Sequence, residues 1–379
     1  MTAYKYFFKR EPRVPFFIYE ETKRKRMFNS FSTSHLLNSL FIFTEMKQLF
    51  LAICYCLSAA AGFAQTQTTA QLQETARSFM KQGDYANAVL VLNRARQQDP
   101  NNIAVTKDLA MSYYYQGDNP KALESINTVI DRDEIDDQTY QIAGMIYRRA
   151  DMQKEAEKMY RKALKKFPES GPLYNELGEL LWDQKNYDAI KQWEKGIETD
   201  PSYSKNYYNA AKYYYLTPDK IWALLYGEIF INMEPLSNKT PEMKQILLNG
   251  YKKLFADADV EKSITDKTPF VRAIAKEING QSAIAADGIN TETLTMIRTR
   301  FILNWFGGAD QKFKYRLFSY QQQLLREGLF DAYNQWIFGS AQNLTLYQNW
   351  VNNNSKTYDE FLHFQKGRIF KVPTGEYYK

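Results

Sequence analysis

Residues able to catalyse a reaction are scarce in this chain of 379 residues. Its two cysteines, Cys54 and Cys56, both lie in an apolar stretch near the N-terminus, and beyond residue 64 the only histidine is His363. That histidine stands among apolar neighbours in EFLHFQK, where a lone histidine is usually structural. Beyond residue 64 the sequence therefore offers neither a nucleophile–histidine pair nor a cysteine or histidine set for zinc. We expect a protein that is not an enzyme and that holds no metal or cofactor.

Two short motifs that could bind ions are incomplete. DRDEIDD, residues 131–137, lacks the loop glycine and the terminal glutamate of an EF-hand calcium loop. FGGADQK has neither the spacing of a phosphate-binding loop nor a strand before it. We interpret the acidic segment as a solvated turn.

The C-terminal part contains aromatic and amide residues that suggest a second kind of chemistry. GLFDAYNQWIFGSAQNLTLYQNW resembles in composition the sites that bind sugars, and pairs of carboxylates can cleave glycans. Aromatic residues at helical spacing are more typical of a core, which is the interpretation we favour for Phe330, Tyr333, Trp336 and Trp350. A protein that binds envelope glycans, or cleaves them with carboxylates, is kept as the alternative function.

The charge of the chain argues against nucleic acid as a partner. The sequence has 49 basic and 43 acidic residues, for a net charge of +6. Residues 1–45 together with Lys47 contain nine of the basic and four of the acidic residues, which leaves 40 basic and 39 acidic ones. A balanced chain lacks the basic surface that neutralises phosphates.

Residues 46–64 have the pattern of a secretory signal peptide. Lys47 supplies the positive start, residues 49–63 form the apolar run, and small side chains precede a cleavage point after Ala64. The run is shorter than the roughly 20 apolar residues that span a membrane. We expect export to the periplasm or the extracellular space. Residues 1–45 are expected to be a mis-assigned start or a disordered extension.

After the predicted signal peptide, the sequence repeats with a period of 33 to 34 residues. A small residue recurs in one predicted helix and an alanine in the next, and two antiparallel helices approach closely only where side chains are small. The first series is Ala76, Ala110, Gly144, Gly178 and Ala211, and the second is Ala88, Ala122, Ala156, Ala189 and Ala223. A bulky residue follows each member of the first series by three positions. The pattern predicts five helix-turn-helix units.

Residues 69–235 resemble five tetratricopeptide repeats, a family built from such units. The resemblance implies an all-α solenoid, a right-handed superhelix with a concave inner surface. Residues 236–255 are a candidate for a partial sixth repeat, and residues 256–379 are predicted to form an all-helical cap or accessory domain. Two positions depart from the pattern, because Glu134 stands where other units close with proline and Gly227 replaces a bulky residue.

The resemblance also implies a ligand-facing groove along the first helix of each unit. Three residues spaced i, i+4 and i+7 lie on this face, and aromatic and arginine side chains are common in protein-binding hot spots. The predicted groove consists of Arg77, Lys107, Met111, Tyr114, Arg148, Asn175, Glu179, Trp182, Tyr208, Lys212 and Tyr215. In the triplets 113–115 and 213–215, the first tyrosine is expected in the core. Packing between neighbouring first helices is an equally supported interpretation of these tyrosines.

These observations favour an exported, non-enzymatic scaffold. We expect its groove to hold a peptide segment or a partner protein, in association with cell-envelope complexes. The C-terminal helices would serve as a cap or as a second docking surface.

Overall fold

The computed structural model describes residues 67–257, 259–308 and 313–379. The predicted signal peptide, 46–64, and the preceding 45 residues lie outside the described residues. Within the described residues all regular structure is helical. None of the helices in these ranges combines the length and the apolar character needed to cross a bilayer.

Ten helices form the five predicted units as consecutive pairs, which confirms the helical repeat architecture. The pairs are α1 (Thr69–Lys81) and α2 (Tyr85–Gln98), α3 (Ile103–Gln116) and α4 (Asn119–Asn127), α5 (Asp137–Arg149) and α6 (Gln153–Lys166), α7 (Gly171–Asp183) and α8 (Ala189–Thr199), and α9 (Ser204–Tyr215) and α10 (Lys220–Met233). A further helix, α11 (Thr240–Leu254), follows in the position of a sixth first helix.

The first helices form the inner row of the array. Each first helix contacts the first helix of the next unit, so that α1, α3, α5, α7, α9 and α11 form a continuous row. The second helices of successive units make at most marginal contact with each other. A row whose members touch is shorter than a row whose members are spread apart. The array is therefore curved with the first helices on its concave side.

Local sequence explains where these helices begin and how they reverse. Six of them start after a short polar side chain that accepts a hydrogen bond from the backbone N–H three residues later. These capping residues are Thr68, Asp84, Asn102, Asp118, Asp136 and Ser170. In each of the first four units, the turn between the two helices contains one residue with a positive φ. This angle is 76° at Gly83 and 82° at Gly117, where glycine adopts it readily. Asp151 and Lys185 take the same place in units three and four, each at φ 59°.

The recurring small residues lie where the helices of a unit approach each other. All ten members of the two series are buried. A Cβ atom added at Gly144 would lie 2.0 Å from the Cζ atom of Tyr160, and one at Gly178 would lie 2.3 Å from the Nε1 atom of Trp193. The predicted placement of the small residues between the two helices of a unit is confirmed.

The two departures from the repeat have different structural results. Helix α4 in the second unit has 9 residues, and turns occupy much of residues 128–136, including the exposed Glu134. At Gly227 an added Cβ would lie 2.8 Å from Met243 Sδ and 3.0 Å from Leu247 Cδ2, so the missing side chain lets α11 approach α10. Gly227 thus contributes to the close packing of α10 against α11.

The remaining helices form a C-terminal group. They are α12 (Val260–Ser263), α13 (Pro269–Asn279), α14 (Ser282–Ala285), α15 (Thr291–Gly307), α16 (Arg316–Arg326), α17 (Phe330–Asn334), a π-helix (Gln335–Gly339), α18 (Ser340–Gln342), α19 (Leu344–Asn353) and α20 (Ser355–Lys366). Helix α10 is buried along its length from Ile221 to Asn232 by α9, α11, α13 and α16. The C-terminal group thus covers the last face of the array.

A buried polar cluster joins the two regions. Glu228 on α10 accepts hydrogen bonds at Oε1 from Arg298, from Gln321 Nε2 at 2.6 Å and from Tyr333 OH at 2.8 Å. The Arg298 guanidinium also donates to Asn334, and both charged side chains are at most 4% exposed. Because every charge in the cluster is paired, it can be buried without an isolated ion.

Candidate partner-binding groove

The predicted groove residues lie on α1, α3, α5, α7 and α9, which belong to the inner row. The structure does not leave the cations of this set free. Each one is bonded to a carboxylate that belongs to the next unit along the array. The pairs are Arg77 Nε–Asp108 Oδ2 at 2.8 Å, Lys107 Nζ–Asp136 Oδ2 at 2.8 Å, Arg148 Nη2–Asp183 Oδ2 at 2.6 Å and Lys212 Nζ–Glu242 Oε1 at 2.8 Å.

Arg148 has the most acidic surroundings of the four. Its Nη1 atom also lies 3.6 Å from Glu176 Oε2 and 3.6 Å from Glu179 Oε2. Burial opposes the charge of Arg148, but the hydrogen bond to Asp183 and the nearby carboxylates raise its pKa above the usual value. Burial and repulsion from Glu179 raise the pKa of Glu176, although Arg148 opposes the shift. The carboxylates around Arg148 outnumber its single positive charge. A charged group of a partner would therefore meet an acidic surface in this part of the groove.

Lys212 and Glu242 stabilise each other's charged form. The hydrogen bond from Lys212 is the main reason why the pKa of Glu242 is lowered. Burial disfavours the charge on Lys212, but its bonds to Glu242 and to Tyr208 raise its pKa overall. Both side chains are nearly half exposed, so the pair contributes about 0–1 kcal/mol to stability.

These pairs show that the predicted groove cations already have intramolecular partners. They form a ladder that connects α1, α3, α5 and α9 each to the next unit. A partner carboxylate would have to displace an intramolecular one, which leaves little net attraction. The surfaces available for recognition are the uncharged and aromatic ones.

Two further members of the predicted set are not accessible. Asn175 is fully buried, where its amide donates to Glu179 at 3.1 Å and its oxygen accepts from Asn209 at 2.8 Å. Tyr208 is 5% exposed, and its hydroxyl donates to Glu242. Both belong to the contacts between first helices, because the inner row is packed more closely than the face assignment assumes. The structure removes them from the candidate contact surface.

Met111, Tyr114 and Tyr215 are among the partly buried members of the set. Met111 packs against the core, and Tyr114 lies beneath the Arg149 guanidinium at 5.6 Å from the ring centre. Tyr215 lies beneath the Lys253 ammonium at 3.8 Å. One part of each side chain packs against the protein itself, and the rest is accessible to a partner. Both the packing interpretation and the partner-contact interpretation therefore apply to these residues.

The structure gathers the accessible apolar surface of the inner row around Trp182. Its ring lies 5.9 Å from that of Tyr187, 6.0 Å from that of Tyr213 and 6.1 Å from that of Trp193. Beside it, α7, α9 and α11 enclose a cavity of about 440 Å³. Its lining includes Glu179, Trp182, Asp183, Asn209, Lys212, Tyr213, Tyr215, Leu216, Glu242 and Ile246. We call it the Trp182 cavity.

The Trp182 cavity continues into a second opening of about 630 Å³ at the edge of the inner row. The two share Trp182, Asp183, Tyr213 and Leu216, and the second adds Lys185, Tyr187 and Thr217. Leu216 is 67% exposed and Tyr187 is 64% exposed. Large apolar side chains that rim a concave site are typical of surfaces that bind a partner.

The tyrosine triplets show how a one-residue difference changes a prediction. Tyr113 is buried as expected, but in the fifth unit Tyr214 is buried at 5% exposure while Tyr213 lines the Trp182 cavity. The spacing of the small residues is 34 up to the fourth unit and 33 before the fifth. The shorter spacing moves the second triplet by one position relative to the core. Counting along the repeat, rather than matching the triplets, would have identified Tyr213.

Other contributors could not be found from the groove positions alone. The carboxylates Asp108, Asp136, Asp183 and Glu242 complete the ladder, and Tyr187, Leu216 and Ile246 line the cavities. Most of them lie at helix ends, in turns or in the next unit. Their meeting depends on how successive units are rotated, for which the sequence gives no local signal.

Within the described ranges, no group of three or more histidine, cysteine, aspartate or glutamate side chains is arranged to hold a metal ion. His363 is exposed on α20. The aromatic residues that suggested a glycan site are part of the core in three cases, since Phe330, Tyr333 and Trp336 are each at most 6% exposed. Trp350 is partly buried.

Comparison with known proteins finds matches along the repeat array. Three family models, each described as a tetratricopeptide repeat, match residues 79–141, 137–168 and 154–204. None of the curated proteins matches the chain.

Several solved structures of low sequence identity match part of the chain. A thermophilic repeat protein of this kind from Thermus thermophilus is 15% identical, with 49% of this chain and 100% of that chain covered and a TM-score of 0.40. PilF of Pseudomonas aeruginosa is 17% identical over 52% of this chain and 87% of that chain, with a TM-score of 0.43. A tetratricopeptide repeat protein from Parabacteroides merdae is 16% identical over 62% of this chain and 91% of that chain, with a TM-score of 0.39. Similarity at this level identifies no partner.

Proposed function

The chain is a tetratricopeptide repeat protein whose matched repeats span residues 79–204, and we propose that it is an exported, non-enzymatic scaffold that holds a partner protein in the Trp182 cavity. Proteins of this family serve as protein-interaction scaffolds, which supports the general class. The cavity supports the place of binding, because it is the concave, aromatic-lined part of the inner row.

The proposed ligand is a peptide segment that inserts an apolar side chain beside Trp182. Tyr213, Tyr215, Leu216 and Ile246 would surround that side chain with apolar surface. The segment avoids acidic residues at this point, because Glu179, Asp183 and Glu242 line the same cavity and Lys212 is its only basic lining residue. Burial of an apolar anchor in such a pocket is the usual source of hot-spot affinity.

The experiment that tests this proposal changes only exposed side chains. Leu216→Ser combined with Tyr187→Ser removes apolar surface at the cavity rim, where these residues are 67% and 64% exposed. Leu90→Ser combined with Leu236→Ser is the matched control, because these leucines are 61% and 95% exposed and line neither cavity. Crosslinking in the cells that produce the protein, followed by mass spectrometry, identifies the captured proteins.

We expect the rim variant to lose a defined partner that the wild type and the control variant both capture. Circular dichroism should show the same helicity for all three proteins, because none of the four side chains is buried. Equal capture by the rim variant and the control variant would refute the placement of the partner in the Trp182 cavity.

Export through residues 46–64 is a separate part of the proposal. It is supported by the apolar run and by the small residues that precede Gln65. Fractionation of the producing cells, with N-terminal sequencing of the protein, tests it. We expect an envelope or extracellular fraction and an N-terminus at Gln65, whereas a cytoplasmic protein that retains Met46 would contradict export.

A further inference from the structure

A second concave site lies on the outer side of the array, between the second and third units. It is an open cavity of about 770 Å³ next to α6. Ile130, Tyr140, Tyr147 and Met159 contribute its apolar surface, and three of them are less than 10% exposed. We call it the outer cavity. None of its lining residues belongs to the Trp182 cavity.

The outer cavity exists because the second unit departs from the repeat. Helix α4 ends at Asn127 after 9 residues, whereas α2, α6 and α10 each have 14. The segment that follows α4 is held against α6 by two bonds, from Lys162 Nζ to Asp131 Oδ1 at 2.9 Å and from Lys166 Nζ to the Asp133 carbonyl at 2.7 Å. Hydrogen-bonded turns at residues 128–131 take the place of a regular helix end, and Ile130 and Asp131 line the cavity from this segment.

The rim of the outer cavity is basic. Lys154, Lys158 and Lys165 are spaced i, i+4 and i+11 on α6, which places them on one side of the helix. All three are exposed, and within the described residues none of them has an ion-pair partner. In the inner row, by contrast, Arg77, Lys107, Arg148 and Lys212 are each paired with a carboxylate. Lys154, Lys158 and Lys165 are therefore available to meet a ligand at the outer cavity.

The whole lining has five cations and three carboxylates. Arg161 is paired with Glu157 at 2.8 Å, and Lys162 is paired with Asp131 at 2.9 Å. Glu155 is the third carboxylate, and it lies next to Lys154 in the sequence. The net charge at the cavity is positive, although the surface is not continuously basic.

We propose that the outer cavity binds an acidic peptide segment that contains apolar residues. Its apolar side chains would occupy the surface of Tyr147 and Met159, and its carboxylates would meet Lys154, Lys158 and Lys165. Nucleic acid is a poorer match, because a phosphate backbone would leave the apolar surface of Ile130, Tyr140, Tyr147 and Met159 uncovered. The site is independent of the Trp182 cavity and would let the scaffold hold two different segments at once.

Fluorescence anisotropy with the full chain tests this proposal directly. The probe is a labelled synthetic peptide in which glutamates alternate with leucine or phenylalanine. One comparison peptide has lysine in place of each glutamate, and another has serine in place of each apolar residue. We expect the first peptide to bind more tightly than both others, and to bind more weakly as salt is raised, because exposed charges are screened.

Charge reversal identifies the site. The triple variant Lys154→Glu, Lys158→Glu and Lys165→Glu should weaken binding of the acidic-apolar peptide by about tenfold or more, because three attractive contacts become repulsive. The matched control reverses Lys81, Lys276 and Lys356, which are also exposed lysines without an ion-pair partner among the described residues. It changes the net charge equally and should leave the affinity within about twofold of wild type.

Several results would overturn the proposal. Equal weakening by the two triple variants would show a nonspecific charge effect, and unchanged binding by the cavity variant would exclude the site. Preferential binding of dextran sulfate, lost in the cavity variant, would assign the cavity to an anionic polymer rather than a peptide. The Leu216→Ser, Tyr187→Ser variant should bind the acidic-apolar peptide normally, so failure of either proposed site is seen separately.

Discussion

The repeat array and the C-terminal group are both helical, but they are held together by different means. In the array, small residues such as Gly144 and Gly178 let the helices of a unit approach, and each unit contacts its neighbours. In the C-terminal group, large aromatic side chains and the buried cluster around Glu228 and Arg298 connect elements far apart in the sequence. Lys379 returns to the junction, where its Nζ lies 2.7 Å from Asp266 Oδ2, in the loop before α13, and 5.6 Å from the ring centre of Trp222 on α10.

The two regions differ in the sequence separation of the residues that stabilise them. A repeat array is stabilised by each unit and by its nearest-neighbour contacts, so its sequence requirements recur and can be read along the chain. A group held by contacts of long sequence separation has no such recurrence. The junction at α10 takes part in both, because one side of it packs within the fifth unit and the other against the C-terminal helices.

The largest expected effect is at the junction. Arg298→Ala would leave the buried carboxylate of Glu228 without its cation, although Gln321 and Tyr333 would still donate to it. Removal of one partner from a buried ion pair costs roughly 3–5 kcal/mol. We expect urea unfolding, followed by circular dichroism, to show a loss of this size.

An ion pair of the array provides the control for that change. Arg77→Ala removes a pair whose arginine side chain is 47% exposed, and it should cost about 0–1 kcal/mol. If Arg298→Ala were no more destabilising than Arg77→Ala, the buried cluster would not be what joins the two regions.

A second, smaller effect is expected where the array is most closely packed. In Gly144→Ala, the new Cβ would lie 2.0 Å from the Tyr160 ring, which is fully buried and cannot move into solvent. Overpacking of this kind costs roughly 1–3 kcal/mol. Thermal and urea unfolding of the variant measure the loss.

Gly307→Ala is the matched change in the C-terminal group. Among the described residues, an added Cβ there meets no atom within 4 Å, so the substitution should be neutral or stabilise α15 by up to about 1 kcal/mol. Equal effects at Gly144 and Gly307 would mean that the small residue of the repeat does not set the spacing of the helices.

A buried carboxyl group of the array also predicts a dependence on pH. Burial raises the pKa of Glu194 on α8 to about 6, even though Tyr214 OH donates to it at 2.6 Å. A carboxyl group with a raised pKa binds its proton more tightly in the folded state, so its ionisation destabilises the fold as pH rises through about 6. Glu194→Gln should therefore stabilise the protein at pH 7 by at most about 2 kcal/mol.

Urea unfolding at several pH values checks this prediction. The advantage of Glu194→Gln over wild type should be fully present above about pH 6.5 and should shrink toward pH 4.5, where wild-type Glu194 is protonated in the folded state. An advantage that does not change with pH would show that the charge of Glu194 is not its cause.

The smallest expected effect lies in the turns of the array. Lys185 has a φ of 59°, at the place where Gly117 has 82°. Lys185→Gly should stabilise the fourth unit by about 0.5 kcal/mol, because glycine adopts this conformation without strain but loses more freedom on folding. Gly117→Ala, at the equivalent turn, should destabilise the second unit by about 1 kcal/mol.

Calorimetric melting temperatures measure both turn variants. Opposite signs are expected for the two changes. A destabilising Lys185→Gly would mean that the lysine side chain contributes more than its backbone conformation costs.

The sequence predicts much of the array because its rules are local. The places of Ala88 and Ala122, the caps at Asp84 and Asp118 and the turn at Gly83 all depend on residues within one unit. The family assignment follows from the same recurrence. For the C-terminal group, the sequence predicts only amphipathic helices that pack around aromatic side chains.

The candidate site was predictable in outline only. The positions of Trp182 and Tyr215 follow from the register of the first helices. The pairing of Arg148 with Asp183, 35 residues later, depends on the rotation between two units, and so does the burial of Asn175. No pattern within one helix encodes that rotation.

The sequence by itself determined the units, their helices and the inner row, because helical periodicity and the steric need for small residues act over short distances. Only the tertiary structure decided which side chains of that row remain accessible. It paired the inner cations with carboxylates of the next unit, gathered apolar surface around Trp182 and left free lysines beside the shortened α4. These outcomes depend on distances between units, which arise from the packing of the whole array and from its attachment to the C-terminal group.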